Sequence, residues 1–396
     1  MQDFSLGTVL VVAVIALMAP LLVNLAPALR LPAVVLEILL GVIIGPSGLD
    51  WVEVDVPTDV LSLFGLGFLL FLAGLEIDPR KLRTGIGRIM AAFGVSLVLA
   101  LIAGFGLELI KETTAPLFVA VALASTSLGL VVPVLRDAGE TDAPFGQIVL
   151  AASSIAEFGS ILLVSLFFSQ SSSSTGSSVA LLVGFTVLVV AAGLLLSGAG
   201  RSLRVSGMLG RLEETTAQLG VRAAIVLLAG FYVLASDLGL ETILGAFVAG
   251  ALLRVVDNEE RLIHERFRAK VEAIGYGFLV PVFFVTTGLK FDADALFAEP
   301  KHLVLVAGFL AALFVVRAVP AILFYRPLMD RRRTYAAGLL QATSLTFPVV
   351  AASLGTELDV FDAATGAALV TAGLLSVILF PPVALRLLGS PQPRNE

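Results

Sequence analysis

The 396-residue chain has no cysteine and only two histidines, His264 and His302, both outside its apolar runs. Without cysteine there is no disulfide, thiolate metal site or cysteine nucleophile, and two isolated histidines exclude a histidine-rich metal site. Charge is scarce as well. Charged residues make up 14% of the chain against 58% hydrophobic ones, and the mean hydropathy is +1.01. A water-soluble domain needs about a quarter of its residues charged, so this composition excludes a cytosolic globular enzyme and assigns the chain to a bilayer. The stretch from Met1 to Ala26 lacks a basic leader and a small-residue cleavage site, so it reads as a first membrane helix and not a removable signal.

A spanning helix needs roughly 17 to 25 apolar residues. By that measure there are thirteen runs, at 6–26, 31–47, 59–77, 86–109, 115–135, 146–168, 178–199, 219–236, 239–255, 273–291, 303–324, 335–354 and 361–388. The fold class expected is an all-α polytopic membrane protein with 13 transmembrane helices. Runs two and nine are short and glycine-rich, as tilted or partly buried helices would be. The connectors are short, and Ser169 to Ser178 is serine-rich without apolar periodicity, which predicts a flexible linker. The organisation expected is residues 1–168 with helices one to six, 169–217 with the linker and helix seven, and 218–396 with helices eight to thirteen.

Basic residues collect on the cytoplasmic side of membrane proteins. Of 25 lysines and arginines, 21 fall in alternate connectors or the helix ends flanking them, from Arg30 and Arg80 through Arg261 and Arg331 to Arg386 and Arg394. The opposite connectors hold only Lys111, Lys290 and Lys301. The predicted topology therefore has the N-terminus outside and the C-terminus in the cytoplasm, within a cell (inner) membrane. Arg317 alone belongs to neither set, being well inside run eleven.

The two halves resemble each other. Phe71-Leu72-Ala73-Gly74-Leu75-Glu76-Ile77-Asp78 closes helix three as Val285-Thr286-Thr287-Gly288-Leu289-Lys290-Phe291-Asp292 closes helix ten. Ser125-Thr126-Ser127-Leu128 followed by Pro133 matches Ala342-Thr343-Ser344-Leu345 followed by Pro348, and Phe145 with Ala151-Ala152 matches Phe361 with Ala367-Ala368. The matched starts lie 214 to 217 residues apart, and Glu37 four before Gly41 pairs with Glu241 four before Gly245. Helices one to six thus repeat as eight to thirteen around a lone seventh. A shift of seven crossings reverses direction through the membrane, so the expectation is two inverted-topology six-helix repeats, a common construction among secondary transporters.

Ionisable side chains at the bilayer centre cost roughly 2.5 to 3.5 kcal/mol on insertion scales and mark functional sites by default. Glu157 lies near the middle of helix six, and Arg317 within helix eleven. Burial favours the protonated form of a carboxyl group and a nearby cation the ionised one, a balance that can allow proton exchange near neutral pH. Such a group holds a proton or a small dehydrated cation but not both, and antiport follows from that competition. Helices five and twelve supply hydroxyls and helix breakers at mid-membrane: Thr126, Ser127, Gly129 and Pro133 in one, Thr343, Ser344 and Pro348 in the other. A broken helix frees carbonyls and turns half-helix dipoles inward, where they can replace a cation's water. Glu157, Thr126 and Ser127 are the candidate cation and proton ligands, with a monovalent cation at Glu157. Arg317 is the compensating charge, and Ser153, Ser154, Glu37 and Glu241 are secondary candidates. For Glu37 and Glu241 structural or interface roles are favoured. Glu76 and Asp78, beside Arg80 and Lys81, suit a solvated helix end, while Phe64, Phe68 and Phe71 suit lipid contact or packing.

The close of helix three, Thr126-Ser127-Leu128-Gly129-Leu130-Val131-Val132-Pro133-Val134-Leu135 in helix five, and Pro281-Val282-Phe283-Phe284-Val285-Thr286-Thr287-Gly288-Leu289 in helix ten resemble the monovalent cation:proton antiporter-2 family. That family includes sodium/proton antiporters and the membrane domains of potassium-efflux systems, and the resemblance covers essentially the whole chain. It implies a thirteen-helix fold with a dimerisation domain and a mobile core, the core being helices three to six crossing ten to thirteen, with elevator-type movement and a homodimer. The family's helix six carries an Asp-Asp, Asn-Asp or Gln-Asp pair whose second member binds the ion. Here the pair is Ala156-Glu157, so the essential acid is Glu and its companion is absent. The family's basic residue after helix ten falls on Arg317. One acid holds one exchangeable proton, which makes 1:1 electroneutral exchange the simpler expectation, and the choice between Na+ and K+ stays open.

Two other carriers compete with this reading. An organic-anion/sodium symporter on a related fold would call for a wide polar cavity and sodium sites, not an intramembrane Arg and Glu. An ion-efflux membrane subunit would take its gating from a separate cytoplasmic regulatory subunit, because the chain stops at Glu396. An intramembrane enzyme lacks support, there being no paired intramembrane aspartate, HExxH or Ser-His combination. No cofactor is expected beyond the transported Na+ or K+ and H+, and the partners expected are membrane lipid and a second copy, not nucleic acid.

Overall fold

The computed structural model describes residues 7–25, 32–76, 85–109, 113, 115–141, 143–167, 218–238, 242–256, 265–357 and 362–388. The described chain is helical throughout: α1 (Gly7–Leu25), α2 (Ala33–Ile44), α3 (Val56–Glu76), α4 (Ile86–Leu109), α5 (Pro116–Ala124), α6 (Leu128–Asp137), α7 (Pro144–Phe167), α8 (Leu219–Asp237), α9 (Thr242–Val256), α10 (Glu265–Ile274), α11 (Val280–Leu289), α12 (Ala293–Phe297), α13 (Pro300–Tyr325), α14 (Arg331–Gln341), α15 (Thr346–Glu357) and α16 (Ala363–Leu388). Among the described residues nine helical stretches are long and apolar enough to cross a membrane, with three shorter apolar helices beside them. Helix seven (178–199), the 169–178 linker, Glu241 and Asp78 lie outside the described residues, as does the side chain of Glu76.

Most boundaries fall near the apolar runs, but the tenth span begins earlier than residue 273. Its first turns, Glu265 to Glu272, are charged and invisible to a hydropathy ruler, yet Arg268 pairs with Glu272 one turn on, a spacing that supports helix. Between α10 and α11 runs a π-helical turn, Gly275–Leu279, in which Val280 N–H bonds the Gly275 carbonyl. Pro281 follows at once and has no N–H for the Gly277 carbonyl, so the ladder widens there.

The chain divides into two compact units. One comprises residues 1–13, 55–79 and 161–284. Within it α9 lies along α3, where a Cβ on Gly250 would overlap the Phe71 carbonyl oxygen and one on Gly74 that of Phe247. Small residues are what allow helix backbones in a membrane to approach this closely. Phe68 and Phe71 are buried in this packing while Phe64 is exposed.

The other unit comprises residues 14–54, 80–160 and 285–396. Here α13 packs on α4, α14 and α16, and α16 also contacts α14 and α15. Ile89, Val131, Leu135, Phe145, Val149, Ala337 and Leu340 form part of one buried cluster. Helix α2 joins through Gly41, where a Cβ would strike the Val285 carbonyl. The Ser47 hydroxyl extends that contact, donating to Phe291 O at 2.7 Å and accepting from Ala293 N–H at 3.0 Å.

Candidate functional site

Both expected breaks are present. Helix α5 ends at Ala124 and α6 starts at Leu128, leaving 125–127 outside the helix; α14 ends at Gln341 and α15 starts at Thr346, leaving 343–345 outside. The sequence reason is local. Ser and Thr side chains offer the backbone hydrogen bonds that compete with the helix, and Pro348 falls in the first turn of α15, where a missing N–H costs nothing.

The breaks meet. Ser127 N–H donates to Thr343 O at 3.1 Å, and the Ser125 and Ser344 hydroxyls lie 2.9 Å apart. Ser127 Oγ accepts from Leu345 N–H at 2.8 Å and Thr346 N–H at 2.9 Å, so a side chain of one break caps the half-helix leaving the other. The Thr126 hydroxyl donates to the Gln341 carbonyl at 2.6 Å, satisfying an orphan at the C-terminus of α14. Ser376 of α16 supports the crossing from behind, accepting from Ser344 N–H at 3.1 Å.

Two charges are built into this crossing. Glu157 of α7 is buried, and its Oε2 accepts from Leu128 N–H at 3.0 Å. That N–H is the first of α6, so the carboxylate sits at the positive end of a half-helix, where anions are stabilised. One turn away on α7 are Ser153, Ser154 and Ser160; Ser154 bonds back to its own helix at Leu150 O, and Ser160 reaches Val121 O of α5.

Arg317 of α13 is buried too. Its Nε donates to Thr126 Oγ1 at 2.9 Å, Nη1 to Ser96 Oγ at 3.1 Å and Nη2 to Gln341 Oε1 at 2.6 Å, and the guanidinium lies 5.9 Å from the Phe93 ring centroid. All three nitrogens bond neutral oxygens, none of them on Glu157. The arginine sits instead at the C-terminal, negative end of α14. Each buried charge is therefore met by a half-helix end of opposite sign.

Residues 13–386 match the family model described as sodium/hydrogen exchanger, transmembrane. The chain belongs to that exchanger family. Among its relatives, YjbQ of Bacillus subtilis (strain 168), named as a candidate Na+/H+ antiporter, is 31% identical over all of this chain, which spans 65% of YjbQ. The Na+/H+-K+ antiporter GerN of Bacillus cereus is 30% identical over 72% of each chain. In fold the exchanger-family chain is similar to the sodium proton antiporter MjNhaP1 of Methanocaldococcus jannaschii, with TM-score 0.66 and 19% identity, covering 97% of this chain and 99% of that one.

The other candidates of this family member are distributed unevenly. Ser153 joins the network by accepting from Gln341 Nε2 at 3.0 Å. Thr343 enters through its carbonyl, while its hydroxyl turns back to Leu339 O. Gly129 and Pro133 lie in α6 just past the break, with the Pro133 side chain outside the described residues. Glu37 is buried in α2, and its Oε2 has no hydrogen-bond partner among the described residues. Among those residues no group of three or more His, Cys, Asp or Glu could hold a metal ion.

Two residues of the site escaped the sequence reading, Gln341 and Ser96. Gln341 is fully buried and bonds four residues on three other segments: Arg317, Thr126, and both Val149 O and Ser153 Oγ of α7. The repeat could not point to it, since the position matched to it is Ala124. The signal available was a lone amide inside an apolar run, two residues before a Thr-Ser break. Ser96, one serine in a long apolar helix, carried no signal of its own.

Proposed function

We propose that this chain is a secondary transporter exchanging a monovalent cation, Na+ or K+, for protons, with both competing for Glu157. Glu157 is the carboxyl that accepts either ion, Thr126 and Ser127 hold the two breaks in register beside it, and Arg317 is the fixed charge that keeps the empty site neutral. With one exchangeable carboxyl the exchange is 1:1 and electroneutral. Alternating access is an elevator movement of a core of sequence-predicted helices three to six and ten to thirteen. The remaining helices form a dimerisation domain in a homodimer, the two halves being inverted repeats of a thirteen-helix fold. The charge asymmetry of the connectors supports a cell membrane orientation with the N-terminus outside and the C-terminus in the cytoplasm.

The observation that carries this reading is the Glu157 carboxylate on the first N–H of α6, at the contact of two broken helices, while Arg317 is engaged elsewhere. The names of the relatives agree with it. The test is proton movement in sealed vesicles, followed with a pH-sensitive dye while Na+, K+ or Li+ is added. Wild type is expected to move protons in response to at least one cation, at a rate insensitive to an imposed membrane potential, and Glu157→Gln to abolish the response. No cation response in wild type, or an undiminished one in Glu157→Gln, refutes the antiport reading; strong voltage dependence refutes the 1:1 exchange.

A further inference from the structure

Arg317 and Glu157 grip the same short segment, one at the Thr126 hydroxyl and the other at Leu128 N–H. Two residues of extended backbone span about 7 Å, a gap that an arginine side chain closes by changing a torsion or two. In a low-dielectric interior two full charges attract each other far more strongly than a charge attracts a neutral oxygen. Left to itself, then, the guanidinium would turn onto the carboxylate and occupy the place of a transported cation. Of its three partners, Thr126 belongs to the segment that also holds Glu157, and the Ser96 bond at 3.1 Å is the longest. Gln341 Oε1 makes the shortest bond, 2.6 Å. The Gln341 amide is also fixed in orientation. Its Nε2 donates to Val149 O and Ser153 Oγ, both at 3.0 Å, so a flipped amide would set its oxygen against a carbonyl and its NH2 against the guanidinium.

We propose that Gln341 is a positioning residue that holds the Arg317 guanidinium off Glu157, out of the place a transported cation would take. The inference rests on the antiporter reading above and adds to it the reason two opposite charges can share a buried crossing without neutralising each other. It also gives the Ser153 hydroxyl a role, as one of two anchors that orient the amide.

The experiment compares cation-dependent proton flux in vesicles carrying wild type, Gln341→Met and Gln341→Asn. Met keeps the shape and removes the acceptor, and Asn withdraws it by a methylene. Both are expected to raise the apparent KM for the cation by about fivefold or more with Vmax within about twofold, the signature of lost ground-state binding. A reduced Vmax at unchanged KM overturns the proposal. If Met does not fold, an unchanged KM in folded Asn overturns it equally. Absence of cation-driven flux in wild type sinks the antiporter reading itself, whereas wild-type flux with unaltered KM in the variants sinks only the role of Gln341.

Discussion

Thr126 and Thr343 occupy matched positions in the two halves, each is 1% exposed, and each lies in a helix break. Sequence and burial alone predict equal sensitivity to substitution; their hydrogen bonds predict otherwise. The Thr126 hydroxyl accepts from Arg317 Nε and donates to Gln341 O, so Thr126→Val strands a charged donor and a helix-end carbonyl together. Interhelical hydrogen bonds in membrane proteins average about 0.6 kcal/mol and reach about 1.7. Two of them, one charge-assisted, set an expected loss of about 1 to 3 kcal/mol. The Thr343 hydroxyl only bonds back to Leu339 O, and that carbonyl also accepts from Ala342 N–H. Thr343→Val therefore leaves it satisfied, for a cost below about 0.5 kcal/mol. Equilibrium unfolding in mixed micelles, followed by helical circular dichroism, measures both, and Thr126→Ser should recover most of the loss. Equal losses at the two positions, or a Ser variant as unstable as Val, would refute the assignment of Thr126 as the hydroxyl that carries Arg317.

Three further outcomes are expected. Ser127→Ala removes the acceptor that caps α15 and should cost about 0.5 to 2 kcal/mol in the same unfolding measurement, as cap removals do; Ser127→Asn, which can still cap, should lose less. Gly250→Ala drives a methyl group into the Phe71 carbonyl, and because backbone cannot give way as a side-chain tip does, overpacking of about 1 to 3 kcal/mol is expected as a lowered Tm. The transported cation should raise the Tm of wild type in detergent, by an amount equivalent to about 2.7 kcal/mol at a hundredfold excess over Kd, and should not raise that of Glu157→Gln; equal shifts in both would place the cation elsewhere.

The breaks were legible because their cause is local: Ser125-Thr126-Ser127 and Thr343-Ser344 before Pro348 disfavour helix where they stand. Glu157 and Arg317 were legible because charge is so rare in this chain that an intramembrane ionisable residue stands out. What was not legible was who meets whom. The partners of Arg317 come from α4, the break between α5 and α6, and α14, at positions 96, 126 and 341, and no periodicity within one helix encodes such a meeting. The internal repeat led away from Gln341, since a repeat search favours what the halves share and the position matched to this residue is Ala124. The charged first turns of α10 were missed for the opposite reason, because an apolar ruler measures length in hydrocarbon and a helix can begin before it enters.

The arrangement of charges bears on why a single carboxyl could suffice for coupled exchange. Arg317 draws on Thr126, Ser96, Gln341 and the negative end of α14; Glu157 draws on the positive end of α6. Neither charge depends on the other for its hydrogen bonds, so on the proposed mechanism Glu157 can change its occupant without stranding Arg317, which avoids the several kcal/mol that breaking a buried ion pair would cost. With a proton the Glu157–Arg317 set carries one net positive charge, and with a monovalent cation it carries the same charge. The two loaded forms then meet nearly equal electrostatic barriers on crossing the membrane, and a membrane potential acts on both alike. Electroneutral exchange would thus follow from where the two half-helices end, together with the absence of a second acid beside Glu157, where Ala156 stands.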